Sequence, residues 1–227
     1  MKNLVSAALI AVGITLAGVF VYCGIHQLAS KDRIVTVKGL STRDVQADFV
    51  VWPLSLNING NDLTSISAEL KRTQAKLVDY FVEKGFKQEE ISLGNINFDD
   101  NWQGYYDRRP EYHYTLRTSL IIATADVERV VANQGVVSDL LAKGIVVSSN
   151  SWSTDYQYNG LNDLKPEMIE EATKNAREVA EKFAADSRSK LGGIRNANQG
   201  QFSITGDDQQ PWKKHIRVVT TISYNLK

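Results

Sequence analysis

Residues 4–25 form an uncharged, mostly apolar stretch of about 22 residues reading LVSAALIAVGITLAGVFVYCGI. At about 1.5 Å rise per residue, a helix of that length covers roughly 33 Å, enough to cross a hydrocarbon core of about 30 Å. After it the rhythm changes to that of a globular domain. Residues 34–38 read as a short strand ending at Gly39. Residues 45–58 read as a long strand with Phe49, Val51 and Pro53 on one face and Val50, Trp52, Leu54, Leu56 and Ile58 on the other. Pro53 has no N–H to give to a ladder, which predicts an edge or a bulge there. Asp62 is placed to cap a helix in which Leu63, Ile66, Leu70, Leu77 and Phe81 recur at helical spacing as far as Gly85.

The second half continues in the same way. Residues 91–98 and 112–123 read as strands on either side of a polar, aromatic loop. A helix is expected from an Asp126 cap through Leu141, with Gly135 weakening it by about 1 kcal/mol relative to alanine. Residues 145–152 read as a strand. Pro166 is expected in the first turn of a long helix whose stripe is Ile169, Ala172, Ala176, Val179, Phe183 and Leu191, closed by Gly192-Gly193. Two last strands, 198–205 and 215–225, flank a loop containing Trp212. The expected fold is α+β, with antiparallel-rich sheets, helices on one face and an order of roughly ββαββαβαββ, preceded by one transmembrane helix. A plan of long helix, strand, tryptophan loop and strand occurs twice, around Trp102 with His113 and around Trp212 with His215. It is either a common helix-plus-hairpin unit or an internal duplication of two related halves.

Composition narrows the function. Lys plus Arg (26) balance Asp plus Glu (26), so no global field draws in nucleic acid. The one cysteine, Cys23, lies in the apolar stretch, so residues 31–227 contain no thiol for a disulfide, a thiolate metal site or a nucleophile. The apolar run is longer than the usual h-region of a cleaved signal and has no well-spaced small residues for cleavage, so residues 1–30 read as an uncleaved anchor, with a cleaved, secreted form as the alternative. The flanking charges Lys2, Lys31 and Arg33 leave the orientation open.

Several local strings, in order, resemble the SIMPL-domain family, whose bacterial members include oxidative-stress-associated proteins. They are Val35-Thr36-Val37-Lys38-Gly39; Glu83-Lys84-Gly85-Phe86; Glu89-Glu90-Ile91-Ser92; an aspartate- and tyrosine-rich loop at 99–114; Lys143-Gly144; and an alanine pattern at Ala172, Ala176-Arg177, Ala180-Glu181 and Ala184 before Leu191-Gly192. The resemblance spans about 34–227. It implies export to the periplasm or cell envelope, with the anchor in the inner membrane, and self-association of the kind seen in ring-forming or channel-like members. It carries over no catalytic residue. The chain departs from the family at Val45-Gln46-Ala47-Asp48, where a small-x-Pro step is common, and this implies a change at the edge used for assembly.

No catalytic constellation is visible, so the protein is expected not to be an enzyme and to need no cofactor or metal. His113 and His215 are the only histidines of residues 31–227 and would suit a metal if the two halves faced each other, but strand-face histidines bonded to neighbours are the commoner case. Asp99-Asp100, Asp107 and Asp207-Asp208 do not follow a calcium-loop pattern and read as solvated turn acids. Arg108-Arg109 reads as a loop tip. The aromatic loops offer the candidate contact surface: Trp102, Tyr105, Tyr106, Tyr112 and Tyr114 in one group, and Trp152, Tyr156 and Tyr158 in another. A second copy of the chain is the first expected partner. A ligand or glycan read through these rings is the alternative, and a metal-dependent enzyme the third reading.

Overall fold

The computed structural model describes residues 2–30, 33–103, 109–149 and 153–227, and within residues 2–32 side chains are described for 11–25 only. Helix α1 spans Lys2–Ser30. Among the described residues no helix is long and apolar enough to cross a membrane. The span expected at 4–25 lies partly outside the residues whose side chains are described.

Beyond α1 the structure is α+β, and its contacts divide it into two compact units. The first unit holds most of β1 (Ile34–Gln46) and α5 (Leu161–Asp186), with β8 (Leu191–Gln199), most of β9 (Ser203–Gly206) and most of β10 (Lys213–Leu226). Its sheet runs β1-β10-β8, with β9 also on β10. Thr36 meets Ser223 and Asp44 meets His215, so β1 and β10 are antiparallel. The expected short strand is therefore corrected to one of 13 residues that runs straight through Gly39.

Gly39 continues the strand because α5 passes directly over it. A Cβ built on Gly39 would lie 1.8 Å from the Ala172 carbonyl oxygen and 2.6 Å from the Ala176 nitrogen. The helix meets the sheet through Met168, Ala172, Ala176, Ala180 and Ala184, all buried. Val179 and Phe183, expected in the stripe, are exposed instead. Small side chains at every fourth position are what allow a helix backbone to approach a strand this closely, and larger ones would hold it away. Two further corrections concern this helix. It begins at Leu161, so Pro166 is in its second turn, and it ends at Asp186, leaving Gly192-Gly193 inside β8. The unit is also tied by charge. The Ser41 hydroxyl (2.8 Å) and the Arg43 guanidinium (2.7 Å) both donate to Glu171, while Arg43 also donates to Glu167 at 2.8 Å.

The second unit holds β2 (Phe49–Gly60), α2 (Leu63–Glu83), β3 (Ile91–Leu93), β4 (Asn97–Asp100), β5 (Tyr114–Thr124), α3 (Val127–Ala132), α4 (Val136–Ala142), β6 (Val147–Ser148) and β7 (Asp155–Gln157), with the hairpin tip Gly206–Lys214. The sheet is ordered β3-β5-β2-β6, with β4 on β5 and β7 on β2. β2 and β5 pair in unbroken register from Val50↔Thr124 to Gly60↔Tyr114. Pro53 falls between the stretches paired by β7 (49–51) and β6 (55–56), at the interrupted edge its missing N–H calls for. Val50, Trp52, Leu54 and Leu56 form the buried face, as the alternation predicts, against Leu77, Phe81, Val130, Val136 and Leu140 of the helices. Asp62 caps α2, accepting from the Ser65 N–H at 2.7 Å, and Gly85 takes φ +90° beyond its end. Leu63, expected in the buried stripe, is exposed.

Other expectations are corrected here. The single strand at 91–98 is two short ones, broken at Gly94. The helix capped by Asp126 is two helices, parted at Asn133–Gly135. The strand expected at 145–152 is confined, among the described residues, to Val147–Ser148. The long strand begins at Phe49, because Asp48 turns away to accept from the N–H groups of Asn159 (2.8 Å) and Gly160 (2.9 Å). The departure from the family's small-x-Pro step thus carries a tie between two distant segments. Each unit includes a run of strand, helix, two strands and a long strand that returns to pair with the first: β1-α5-β8-β9-β10 in one and β2-α2-β3-β4-β5 in the other, where α3, α4, β6 and β7 follow.

Acid should loosen the structure. The hydrogen bonds from Ser41 and Arg43 hold the Glu171 carboxyl below the usual range. At Glu90, burial raises the carboxyl, but hydrogen bonds from Thr124 and the Lys87 N–H and the charges of Arg129 and Lys87 outweigh it and lower it overall. A carboxyl depressed on folding adds stability above its unfolded pKa and loses it as pH falls through the folded value. The melting temperature is expected to hold between about pH 7 and pH 5 and to fall below about pH 4. Glu171→Gln should flatten part of that fall in melts run across this range; an unchanged slope would remove Glu171 from the account.

Candidate functional site

The aromatic loop after β4 builds a column of rings. Trp102 stacks on His113 at 4.0 Å between centroids and 12° between planes, and His113 stacks on Tyr114 at 3.8 Å and 21°. Tyr114 in turn meets Phe98 at 5.6 Å. The column is fixed at several points. His113 Nε2 lies 3.1 Å from Asp100, the Trp102 indole N–H donates to the Pro110 carbonyl at 3.0 Å, and the Trp102 backbone N–H donates to Asp100. Asn101 donates to Thr115, which donates to Asn59, while Asn61 accepts from the His113 N–H. Each of these ties is local to the β4–β5 hairpin or to the end of β2, so the column is part of the sheet end.

This changes the role of several predicted residues. Trp102 is stacked on His113, and the Arg109 guanidinium lies 5.1 Å from its ring centre. Tyr112 is exposed and Tyr114 half-buried. Tyr156 is not on an open loop: it is 4% exposed, packed in the core of the second unit, with its hydroxyl accepting from Gln134 at 2.9 Å and burial pushing its pKa up. Tyr158 is half-buried and its hydroxyl folds back beside Gly160. Tyr105, Tyr106 and Trp152 lie outside the described residues, as do Asp107 and Arg108.

The remaining polar candidates are tied into turns and strands. Asp99 pairs with Arg117 at 3.0 Å, Asp207 accepts from the N–H groups of Gln209 and Gln210 at 2.8 Å each, and His215 pairs with Asp44. His113 and His215 each have an aspartate from their own unit.

Sequence reasoning missed the sheet edge beside the column. β3 and β4 both lie against β5 at the side away from β2, and they and the link between them display Leu93 (51% exposed), Ile96 (54%) and Phe98 (50%). Read as one strand, residues 91–98 seem to bury alternate side chains. Gly94 was the available signal, since glycine inside a strand pattern marks a break. The broken strand leaves three large apolar side chains in water at a position with free backbone groups.

Residues 35–218 match a family model described as SIMPL, protein of unknown function (DUF541). No curated protein matches the chain.

Proposed function

The chain belongs to the SIMPL family, and from that premise we propose that it is a non-enzymatic scaffold of the bacterial cell envelope. In this reading residues 1–30 anchor it in the inner membrane, the domain of residues 31–227 stands in the periplasm, and copies associate through the β3–β4 edge. The observation that carries the reading is the exposed apolar group Leu93, Ile96 and Phe98 along the broken β3–β4 edge at the ring column. Soluble proteins usually blunt such edges with charge, proline or a covering segment, and an uncovered one serves pairing. The anchoring part is supported by the uncharged run at 4–25. A common tether raises the effective concentration of the domains, so a weak edge contact suffices. A non-catalytic role is supported by the acids and histidines of the described loops, which are used as structural ties.

Light scattering on the full chain in detergent tests the proposal. The wild type is expected to run as an oligomer, and Leu93→Lys with Ile96→Lys is expected to cut the mass at least to half while leaving the circular dichroism unchanged. A monomeric wild type, or a double variant of unchanged mass, would remove the β3–β4 edge as the assembly surface.

A further inference from the structure

The second unit contains a cavity of about 310 Å³ lined by Trp52, Val130, Gln134, Ser149, Tyr156 and Pro211, among others. That is at the lower end of the size of small-molecule sites, which run from about 300 Å³ upward. A neighbouring cavity of about 390 Å³ shares Gln134 and Pro211 with it. The fold places these groups deliberately. The break between α3 and α4 at Asn133–Gly135 presents Gln134, and the hairpin tip Gly206–Lys214 brings Pro211 to the opposite wall.

Hydrogen bonding fixes what the cavity offers. The Trp52 indole N–H donates to the Ser149 hydroxyl at 2.9 Å, and the Gln134 amide N–H donates to the Tyr156 hydroxyl at 2.9 Å. A hydroxyl has one proton to give and two lone pairs. Each of these two hydroxyls therefore has a lone pair occupied and its proton still to place, and neither donates to an acceptor among the described residues. The Gln134 carbonyl oxygen accepts nothing among them either. Tyr156 is 96% buried (4% exposed), so its unspent proton belongs to the cavity and not to bulk water. With the Thr154 hydroxyl, the described lining presents three O–H groups and one amide acceptor, set among Val130, Val137, Pro211 and the Trp52 ring, with no charged side chain among the described residues.

A carboxylate or an ammonium entering such a cavity would lose its hydration with no opposite charge to replace it. A purely apolar guest would leave the donors unmet. The group that meets both is a secondary amide, whose carbonyl accepts from the hydroxyls while its N–H donates to the Gln134 oxygen and its small alkyl end meets the valines. We propose that this cavity binds a small neutral ligand through a secondary amide, the group common to an acetamido sugar and to a peptide bond. The site is independent of the assembly proposed above, since none of its lining residues lies on the β3–β4 edge.

Saturation-transfer NMR on the full chain, with two amide probes and one control, tests this. N-acetylglucosamine and N-acetylalanine methylamide represent the two sources, and glucose is the control. At least one amide probe is expected to bind saturably and at least tenfold more tightly than glucose. Gln134→Leu and Tyr156→Phe are each expected to weaken that probe about tenfold. Gln134 is exposed, so its variant reports on binding even where Tyr156→Phe disturbs the core. Tighter binding of N-acetylglucosamine assigns an amino-sugar ligand, and tighter binding of the dipeptide assigns a peptide. Absence of saturable binding by both probes below about 50 mM overturns the proposal, as does equal binding of glucose or full binding by the Gln134 variant.

Discussion

Gly39→Val is expected to cost about 3 kcal/mol of stability or more, placing it among the most damaging single changes available in the first unit. The cost arises because a side chain at 39 would meet backbone. The Ala172 carbonyl oxygen lies 1.8 Å from the site of a Cβ, and the Ala176 nitrogen 2.6 Å. No rotamer change relieves such a contact, so α5 must move off the sheet. Moving it opens space along Ala172, Ala176, Ala180 and Ala184, which are buried against β1 and β10 and have no longer side chains with which to follow. For a domain of this size the loss corresponds to a fall in melting temperature of about 6 °C or more. Thermal melts followed by circular dichroism check it. A valine variant melting within about a degree of wild type would mean that the helix can lift without loss, and that the alanine stripe does not hold it close.

Phe81→Ala is expected to have the largest effect in the second unit, about 3–5 kcal/mol. Phe81 is fully buried and is the hub of four rings, meeting Trp52 at 5.6 Å, Tyr80 at 5.3 Å and Phe86 at 5.7 Å, each edge to face. Truncation removes the transfer energy of the ring, three quadrupole-aligned contacts and the packing that orients the Trp52 indole. Denaturant unfolding should report the stability loss. The near-ultraviolet dichroism of tryptophan should weaken under native conditions, where Phe81→Leu retains more of both. A Phe81→Ala protein within about 1 kcal/mol of wild type would show that the cluster collapses around the vacated space.

Local features of the sequence translated well into structure. The buried face of β2 followed from simple alternation, and the Asp62 cap and the turn at Gly85 from the chemistry of single residues beside their own helix. The family was legible for a physical reason as well. Two of the strings that carry the resemblance, Val35 to Gly39 and the alanine series of α5, meet in space at the contact of Gly39 with Ala172 and Ala176.

The errors have a different origin. The stripe of α5 was read toward Val179 and Phe183 because they are the more hydrophobic choices at helical spacing. The strand that faces the helix contains a glycine about 130 residues earlier in the chain, and that distant partner selects small side chains. Likewise, Tyr156 looks like any loop tyrosine until β7 is seen to pair with β2 and carry it into the core. The stacking of Trp102 on His113 is a contact across a hairpin, which their shared place in one loop-and-strand plan does not by itself reveal.

The pairing of β1 with β10 also sets an order of events when the chain is made. Residues 45–161, most of the second unit, are contiguous and can begin to assemble as they emerge. β1 precedes them, yet its strand partner is the final one, with Thr36 bonded to Ser223 across 187 positions. Closing so distant a pair is slow, and until it closes the strand carries unsatisfied backbone groups. A chain still being made therefore holds β1 without its strand partner until the last strand arrives. Premature termination before β10 would leave β1 permanently without that partner, opening the side of the strand that β10 covers in the finished protein.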